Sequence, residues 1–210
     1  MEVRNFNIDW KKLVQVQPVM ESIPADLRNT AQQLNLAAGL AVFRVGDPVR
    51  SMLLVLSGEV RLLRRDKNGH EVTLQRSRAG FIAEASLDSR SYHCDIVASE
   101  NSNVLAFPAA PFRRALEEDA KFGQAWRIHL AREVRRLRAQ CERLSLHSAT
   151  DKVMHYIESE GNDGTILLKQ TRKAWASELG LTHEALYRTL KRLQDEGRLE
   201  VDGSRFTVSK

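Results

Sequence analysis

The 210-residue chain reads as an α+β protein built in three parts. These are an antiparallel β domain, a jelly roll (double-stranded β-helix) or a barrel, then a long helix, and a winged helix-turn-helix. Three observations predict this order. Short β-rich runs broken by turn residues fill the stretch from Ala38 to Pro108. A proline-free helical pattern with one apolar stripe runs from Phe122 to Leu146. Beyond Thr171, two capped helices are followed by a strand-turn-strand. The expected boundaries are 1–118, 119–147 and 148–210.

Residues 1–38 read as short helical pieces around Pro18 and Pro24, with Ser22 as a helix start and Pro24 in the first turn. From Ala38 the period changes. The runs LAVFRVGDPV, MLLVLSGEVRLLRRD, HEVTLQRSRAG and IVASENSNVLAFP are separated by Gly46-Asp47, Ser57-Gly58, Asn68-Gly69 and Glu100-Asn101, all turn chemistry. Asn68-Gly69 between two such runs is the strongest hairpin signal. The spacing predicts roughly seven or eight strands. Pro108 and Pro111 close the β region, and PFRRALEED begins a helix leading to the long one.

In the long helix, apolar residues recur at Phe122, Trp126, Leu130, Val134, Leu137, Cys141 and Leu144. The later steps alternate four and three, the spacing of a coiled-coil seam. No other segment matches this stripe, so a second copy of the chain is the expected partner, against the plainer reading of a helix lying on its own domain. Arginines 127, 132, 135, 136, 138 and 143 are expected on the remaining faces. Of the formal net charge of +5, most sits here: residues 121–147 carry seven Lys and Arg against two acids, and the last forty carry eight against six. Charge alone therefore does not point to DNA.

After Ser148 come a helix (DKVMHYIES), a polar break at 160–164 and a short strand, ILLKQ. Thr171 is placed to cap a helix ending at Gly180, and Thr182 to cap the next. Trp175, Leu179, Leu186, Leu190 and Leu193 supply the buried faces, and Ala176 gives room for a close crossing. GRLEV, DGSR and FTV form the wing. In such a unit the second helix enters the major groove by its first turns. His183, Glu184, Tyr187 and Arg188 are exposed there. A carboxylate accepts from cytosine N4, and a guanidinium clasps guanine O6 and N7. Glu184 and Arg188 share a face, where the plain alternative is a helical ion pair. Thr171, Arg172, Lys173, Thr182 and Lys191 are expected to hold phosphates.

Bulk properties limit the alternatives. Hydrophobic content of 42% and charged content of 28% are ordinary for a soluble globular protein. No run approaches the roughly eighteen apolar residues of a membrane span, and the first residues lack a signal peptide's apolar core. A cytoplasmic protein with no membrane partner is expected. Cys94 and Cys141 cannot make a disulfide framework or a four-thiolate metal site. A metal-dependent β-barrel enzyme would need converging histidines, and the β region offers only His70 and His93. No catalytic or metal site is expected.

The succession of β-roll, long helix and winged helix resembles the cyclic-AMP receptor protein/FNR family of bacterial transcription regulators. THEALYRTL resembles that family's S-R-E-T-V-x-R pattern, which puts Glu184 and Arg188 on its two base readers, while His183 replaces an arginine. Gly46, Gly58 and Gly69 fit the family's spacing. The resemblance implies a cyclic-nucleotide-binding-like β-roll, a homodimer on an inverted repeat of double-stranded DNA, and RNA polymerase as a further partner. Family members that bind cyclic nucleotides carry F-G-E-x-x-L, then R-[ST]-[AT]. The matching stretch here is FIAEASLDSRSYHCDIVA. Glu84 keeps the glutamate position, Ala83 replaces the glycine, and Tyr92-His93-Cys94 fills the arginine slot. Arg90 stands two residues early, which moves its head by about 6–7 Å along a strand. A phosphate buried without its guanidinium is an unpaired charge, so cyclic AMP is not expected. Glu84, Ser86, Tyr92, His93, Cys94 and His129 would line any effector pocket. A haem or redox sensor of the same fold is the alternative, since His93, Cys94 and His129 are haem-ligand types. No bound cofactor is expected.

Overall fold

The computed structural model describes residues 2–4, 8–65, 67, 71–168 and 170–209. The chain divides into two compact units, residues 1–130 and 131–210, and the division falls inside the long helix. Each unit has its own core.

In the first unit, β1 (Glu2–Arg4), α1 (Trp10–Val16), a 3-10 turn at Pro18–Ser22, α2 (Ala25–Asn29) and β2 (Gln32–Leu36) precede the roll. The roll itself is β3 (Ala41–Phe43), β4 (Ser51–Ser57), β5 (Val60–Arg65), β6 (Glu71–Ser77), β7 (Gly80–Ile82), β8 (Asp95–Ala98) and β9 (Ser102–Pro108). Two antiparallel sheets result, ordered β1-β2-β9-β4-β7 and β3-β8-β5-β6. Period-two patterning explains the layers. Along β4, Leu53 and Val55 enter the core between the sheets, with Val60, Ile82, Ile96 and Val104. Met52 and Leu54 point the other way, to a second core shared with Phe81, Phe107, Phe112 and the helices.

Two expectations for the N-terminal region are corrected. The stretch read as helical up to residue 38 holds a strand, β2, paired to both β1 and β9. Its alternating Leu34 and Leu36 are 4% and 2% exposed, and that period of two outweighs the helical composition before it. Helix α2 starts at Pro24 as cap, two residues later than the Ser22 start predicts. The Asn68-Gly69 turn, with Gly69 and His70, lies outside the described residues. Its flanking strands do pair, Arg65 against Glu71. Gly58, between β4 and β5, has φ +82°, and a Cβ there would stand 2.4 Å from the Ser102 hydroxyl, so turn and packing both require glycine.

Helix α3 (Ala109–Glu118) leads to α4 (Ala120–Ser145). The second unit contains the rest of α4, α5 (Ala149–Glu160), β10 (Thr165–Leu167), α6 (Arg172–Glu178), α7 (His183–Asp195), β11 (Leu199–Asp202) and β12 (Arg205–Val208). The three strands form one antiparallel sheet, β10-β12-β11. Trp175, Leu179, Leu186 and Leu193 are each fully buried, as the spacing predicts, with Val153, Ile157 and Phe206. Gly180 adopts φ +64°, the left-handed conformation that lets α6 stop and α7 start within a few residues.

The apolar stripe of α4 is not one continuous seam. Phe122 and Trp126 are 0% and 5% exposed within the chain's own first unit. Their rings meet Phe112 at 5.4 and 5.0 Å, and Trp126 also meets Phe81 at 5.0 Å. Leu130 packs on the same core. Aromatic side chains on α3, β7 and β9 satisfy this half of the stripe, so Phe122 and Trp126 are withdrawn from a dimer interface. Val134, Leu137 and Leu144 stand 46%, 44% and 55% exposed, and Cys141 is exposed too. Arg143, expected on an outer face, is 1% exposed.

Candidate functional site

The helix-turn-helix is built by two matching caps. The Thr171 hydroxyl accepts from the Ala174 amide at 3.2 Å and starts α6; the Thr182 hydroxyl accepts from the Ala185 amide at 3.1 Å and starts α7. Each hydroxyl still has its own proton to donate. Helix α7 buries Leu186, Leu190 and Leu193 and turns its other side outward. His183, Glu184, Tyr187, Arg188 and Lys191 are all exposed on it, and Lys173 is exposed on α6. Among the described residues, Glu184 and Arg188 have no ion-pair partner, so the helical pair that competed with a reading role does not form. Two unpaired groups of opposite charge one turn apart can offer an acceptor and a fork of donors to adjacent base pairs.

Arg172 differs from its neighbours. It is half-buried, its Nη2 donates to the Gly203 carbonyl at 3.3 Å, and its guanidinium lies over the rings of Tyr187 (5.4 Å) and Phe206 (5.6 Å). Tyr187 also meets His183, ring centroids 4.6 Å apart.

Arg143 was missed by sequence reading. Its guanidinium donates to the Ser159 hydroxyl at 2.7 Å and to Glu160 at 3.1 Å, and covers the Tyr156 ring at 4.7 Å. Burial, then the charges of Glu178 and Glu160, push the Tyr156 phenol well up, which keeps it a neutral donor. Only its place near the end of a helix with a following helix could have hinted at this, because arginine is usually exposed.

In the first unit, the cassette position lies on a short 3-10 turn, Glu84–Ser86, entered through Ala83 at φ +67°. An alanine therefore holds the left-handed conformation where the resembled pattern has glycine. The turn gathers two of the predicted histidines. His129 Nε2 lies 3.2 Å from Glu84 Oε1, with both side chains 9% exposed. His93 Nδ1 lies 3.4 Å from the Ser86 hydroxyl. His129 also rests against Phe81 and Trp126. Tyr92 belongs elsewhere: 2% exposed, it stacks on Phe43 at 4.4 Å and donates to the Ser51 carbonyl at 2.6 Å. Arg90 is exposed.

These residues do not fit a cyclic nucleotide. The arginine slot holds a buried phenol, and the Glu84 carboxylate already has a partner in His129. The two histidines among the haem-ligand types are already engaged within the chain. His129 is engaged by Glu84 and His93 by Ser86, and burial pushes the Cys94 thiol up, despite Arg64, away from the thiolate that binds iron. Among the described residues, no three His, Cys, Asp or Glu side chains are grouped to hold a metal, and no helix is long and apolar enough to cross a membrane.

Comparison with known proteins adds two domain matches. Residues 33–119 match the cyclic nucleotide-binding domain, and residues 144–210 match the Crp-like helix-turn-helix domain. The chain is 24% identical over 185 residues to the nitrogen fixation regulation protein FixK of Bradyrhizobium diazoefficiens, covering 84% of this chain and 77% of that protein. The fold is similar to that of FixK2 from Bradyrhizobium japonicum, with TM-score 0.60, 18% identity, and coverage of 86% of this chain and 93% of that one. It is also similar to DNR from Pseudomonas aeruginosa, with TM-score 0.56, 24% identity, and coverage of 99% and 96%.

Proposed function

The chain belongs to the Crp/Fnr family of transcription regulators, and on that premise we propose that it works as a homodimer reading an inverted-repeat operator. The observation that carries the reading is the outward face of α7. There Glu184 and Arg188 are exposed, with no ion-pair partner among the described residues, beside His183 and Tyr187. Glu184 and Arg188 read bases, while Thr171, Lys173, Thr182 and Lys191 hold phosphates and set register. The organisation is a sensor part, 1–118, a pairing helix, 119–147, and a DNA-binding part, 148–210.

Pairing uses the exposed half of α4, namely Val134, Leu137, Cys141 and Leu144, spaced three, four and three. Two-fold symmetry then presents two α7 helices about 34 Å apart, one turn of DNA, which is why the operator should be palindromic. The protein acts in the cytoplasm on double-stranded DNA, with RNA polymerase as a further partner, and performs no catalysis. Cyclic AMP is not the expected effector of the β-roll, because the buried Tyr92 stands where its phosphate would need a guanidinium and Glu84 is already engaged by His129. An effector of different chemistry would act by favouring one spacing of the two helices over another.

Selection of bound fragments from random DNA by the full-length protein tests this. A palindromic consensus is expected, and E184A or R188A should each cost about 1–3 kcal/mol on it while relaxing preference at one position per half-site. Retention of all fragments alike, or footprints of both variants matching the parent, would refute the assignment.

A further inference from the structure

We infer that Arg172 is a positioning residue that fixes the reading face of α7 and the wing to one another, and not a phosphate contact. The inference rests on the DNA-binding reading above. Its position at the start of α6, beside Thr171 and Lys173, is where an arginine would ordinarily be given to the DNA backbone. The geometry assigns it another task.

One guanidinium joins three separate parts of the winged helix. It hydrogen-bonds the carbonyl of Gly203, the glycine at φ +56° in the turn between β11 and β12. It lies over Phe206 on β12, which is fully buried and meets Trp175 at 5.0 Å. It also lies over Tyr187, which is 45% exposed on α7. Tyr187 in turn meets His183 in the first turn of that helix. A continuous row thus runs from the wing turn through Arg172 and Tyr187 to His183.

Held this way, the guanidinium is committed to two rings and, through Nη2, to a carbonyl. Lys173, next to it, has no ion-pair partner among the described residues and is free to meet a phosphate. Without the guanidinium, the large exposed ring of Tyr187 would sample other rotamers across the very surface that carries Glu184 and Arg188. The wing turn would lose its tie to the helix pair. Lysine cannot stand in, because an ammonium is compact and neither stacks as a plane nor forks.

Salt dependence distinguishes the two roles. The full-length parent, R172K and R172M are titrated, at several salt concentrations, with the palindrome the parent selects and with a scrambled duplex. Circular dichroism checks folding, and the charge-retaining R172K keeps the test open if R172M is unstable. Positioning predicts that both variants lose about tenfold on the palindrome, little on the scrambled duplex, and leave the salt slope unchanged. A backbone contact predicts that R172K keeps parental affinity, and that R172M lowers the slope by roughly 1.8 for the dimer on both duplexes. That second pattern would overturn the proposal while leaving sequence-specific binding intact. A parent that does not prefer its palindrome would instead remove the DNA-reading premise, and the proposal with it.

Discussion

Removing the buried guanidinium of Arg143 should separate two costs that usually travel together. In R143A, the bonds to Ser159 (2.7 Å) and Glu160 (3.1 Å) and the contact with the Tyr156 ring are all lost. The side chain is 1% exposed, so alanine also leaves a cavity where the stem lay. Removing one member of a buried pair typically costs about 3–5 kcal/mol, chiefly through the charge left behind. Here the partner, Glu160, is 22% exposed and can rehydrate, which favours the lower end, near 3 kcal/mol. The Nε of Arg143 has no partner among the described residues, so part of its burial was never compensated. In R143M the apolar stem is kept while the same ion pair is lost and the same Nε desolvation is relieved, so R143M should lose about 1–2 kcal/mol less than R143A, the part due to packing. Hydrogen exchange read by mass spectrometry over residues 143–160 gives the local opening free energy for each variant without assuming that the two units unfold together. Equal losses in R143A and R143M would show that packing contributes nothing, and no loss in either would show that the cluster is incidental.

Other outcomes follow from the same structure. Glu59 is 1% exposed, and although burial opposes its charge, bonds from Ser99 and Arg61 and the charges of Arg61 and Arg78 hold its carboxyl below the ordinary 4.5. The folded chain therefore binds that proton less readily than the unfolded one. Its contribution is complete above about pH 4.5 and is lost as pH falls toward the depressed value, so E59Q should flatten the acid limb of a stability–pH curve. W126A should destabilise the first unit by about 3–5 kcal/mol in urea titrations without first changing the oligomeric state. L137E should convert dimer to monomer in sedimentation while leaving each unit folded; the reverse assignment of effects would invalidate the division of the α4 stripe. G180A forces alanine into φ +64° and should cost about 1–2 kcal/mol in the second unit, whereas no loss would mean the turn can be remade.

Local signals were enough wherever one interaction dominates. Thr171 and Thr182 announce their helices because a capping hydroxyl acts within three residues, and Leu186, Leu190 and Leu193 declare a buried face by spacing alone. β2 was misread because its alternation is only five residues long and follows the helix-prone IPADLRN; the pairing with β9 that decides it comes from 70 residues further on. The seam on α4 failed in its first half for a related reason. Periodicity shows that Phe122 and Trp126 need a partner, but not whether that partner is a second chain or Phe81 and Phe112 of the same one.

The cassette shows the same limit in chemical terms. The resemblance to the cassette presented Glu84 as an acceptor waiting for a ligand, and residue type presented His129 as a possible iron ligand. Brought to 3.2 Å from each other, they satisfy one another across 45 residues of sequence. The contact has a consequence for any effector that enters here. It must offer Glu84 a better donor than His129, or leave the pair intact, because a buried carboxylate stripped of its partner costs more than most single contacts return. His129 stands on α4 between Trp126 and Leu130, so a ligand that takes the first course acts on the pairing helix by the same step. One that takes the second has no lever there, and that distinction separates a sensing β-roll from a structural one.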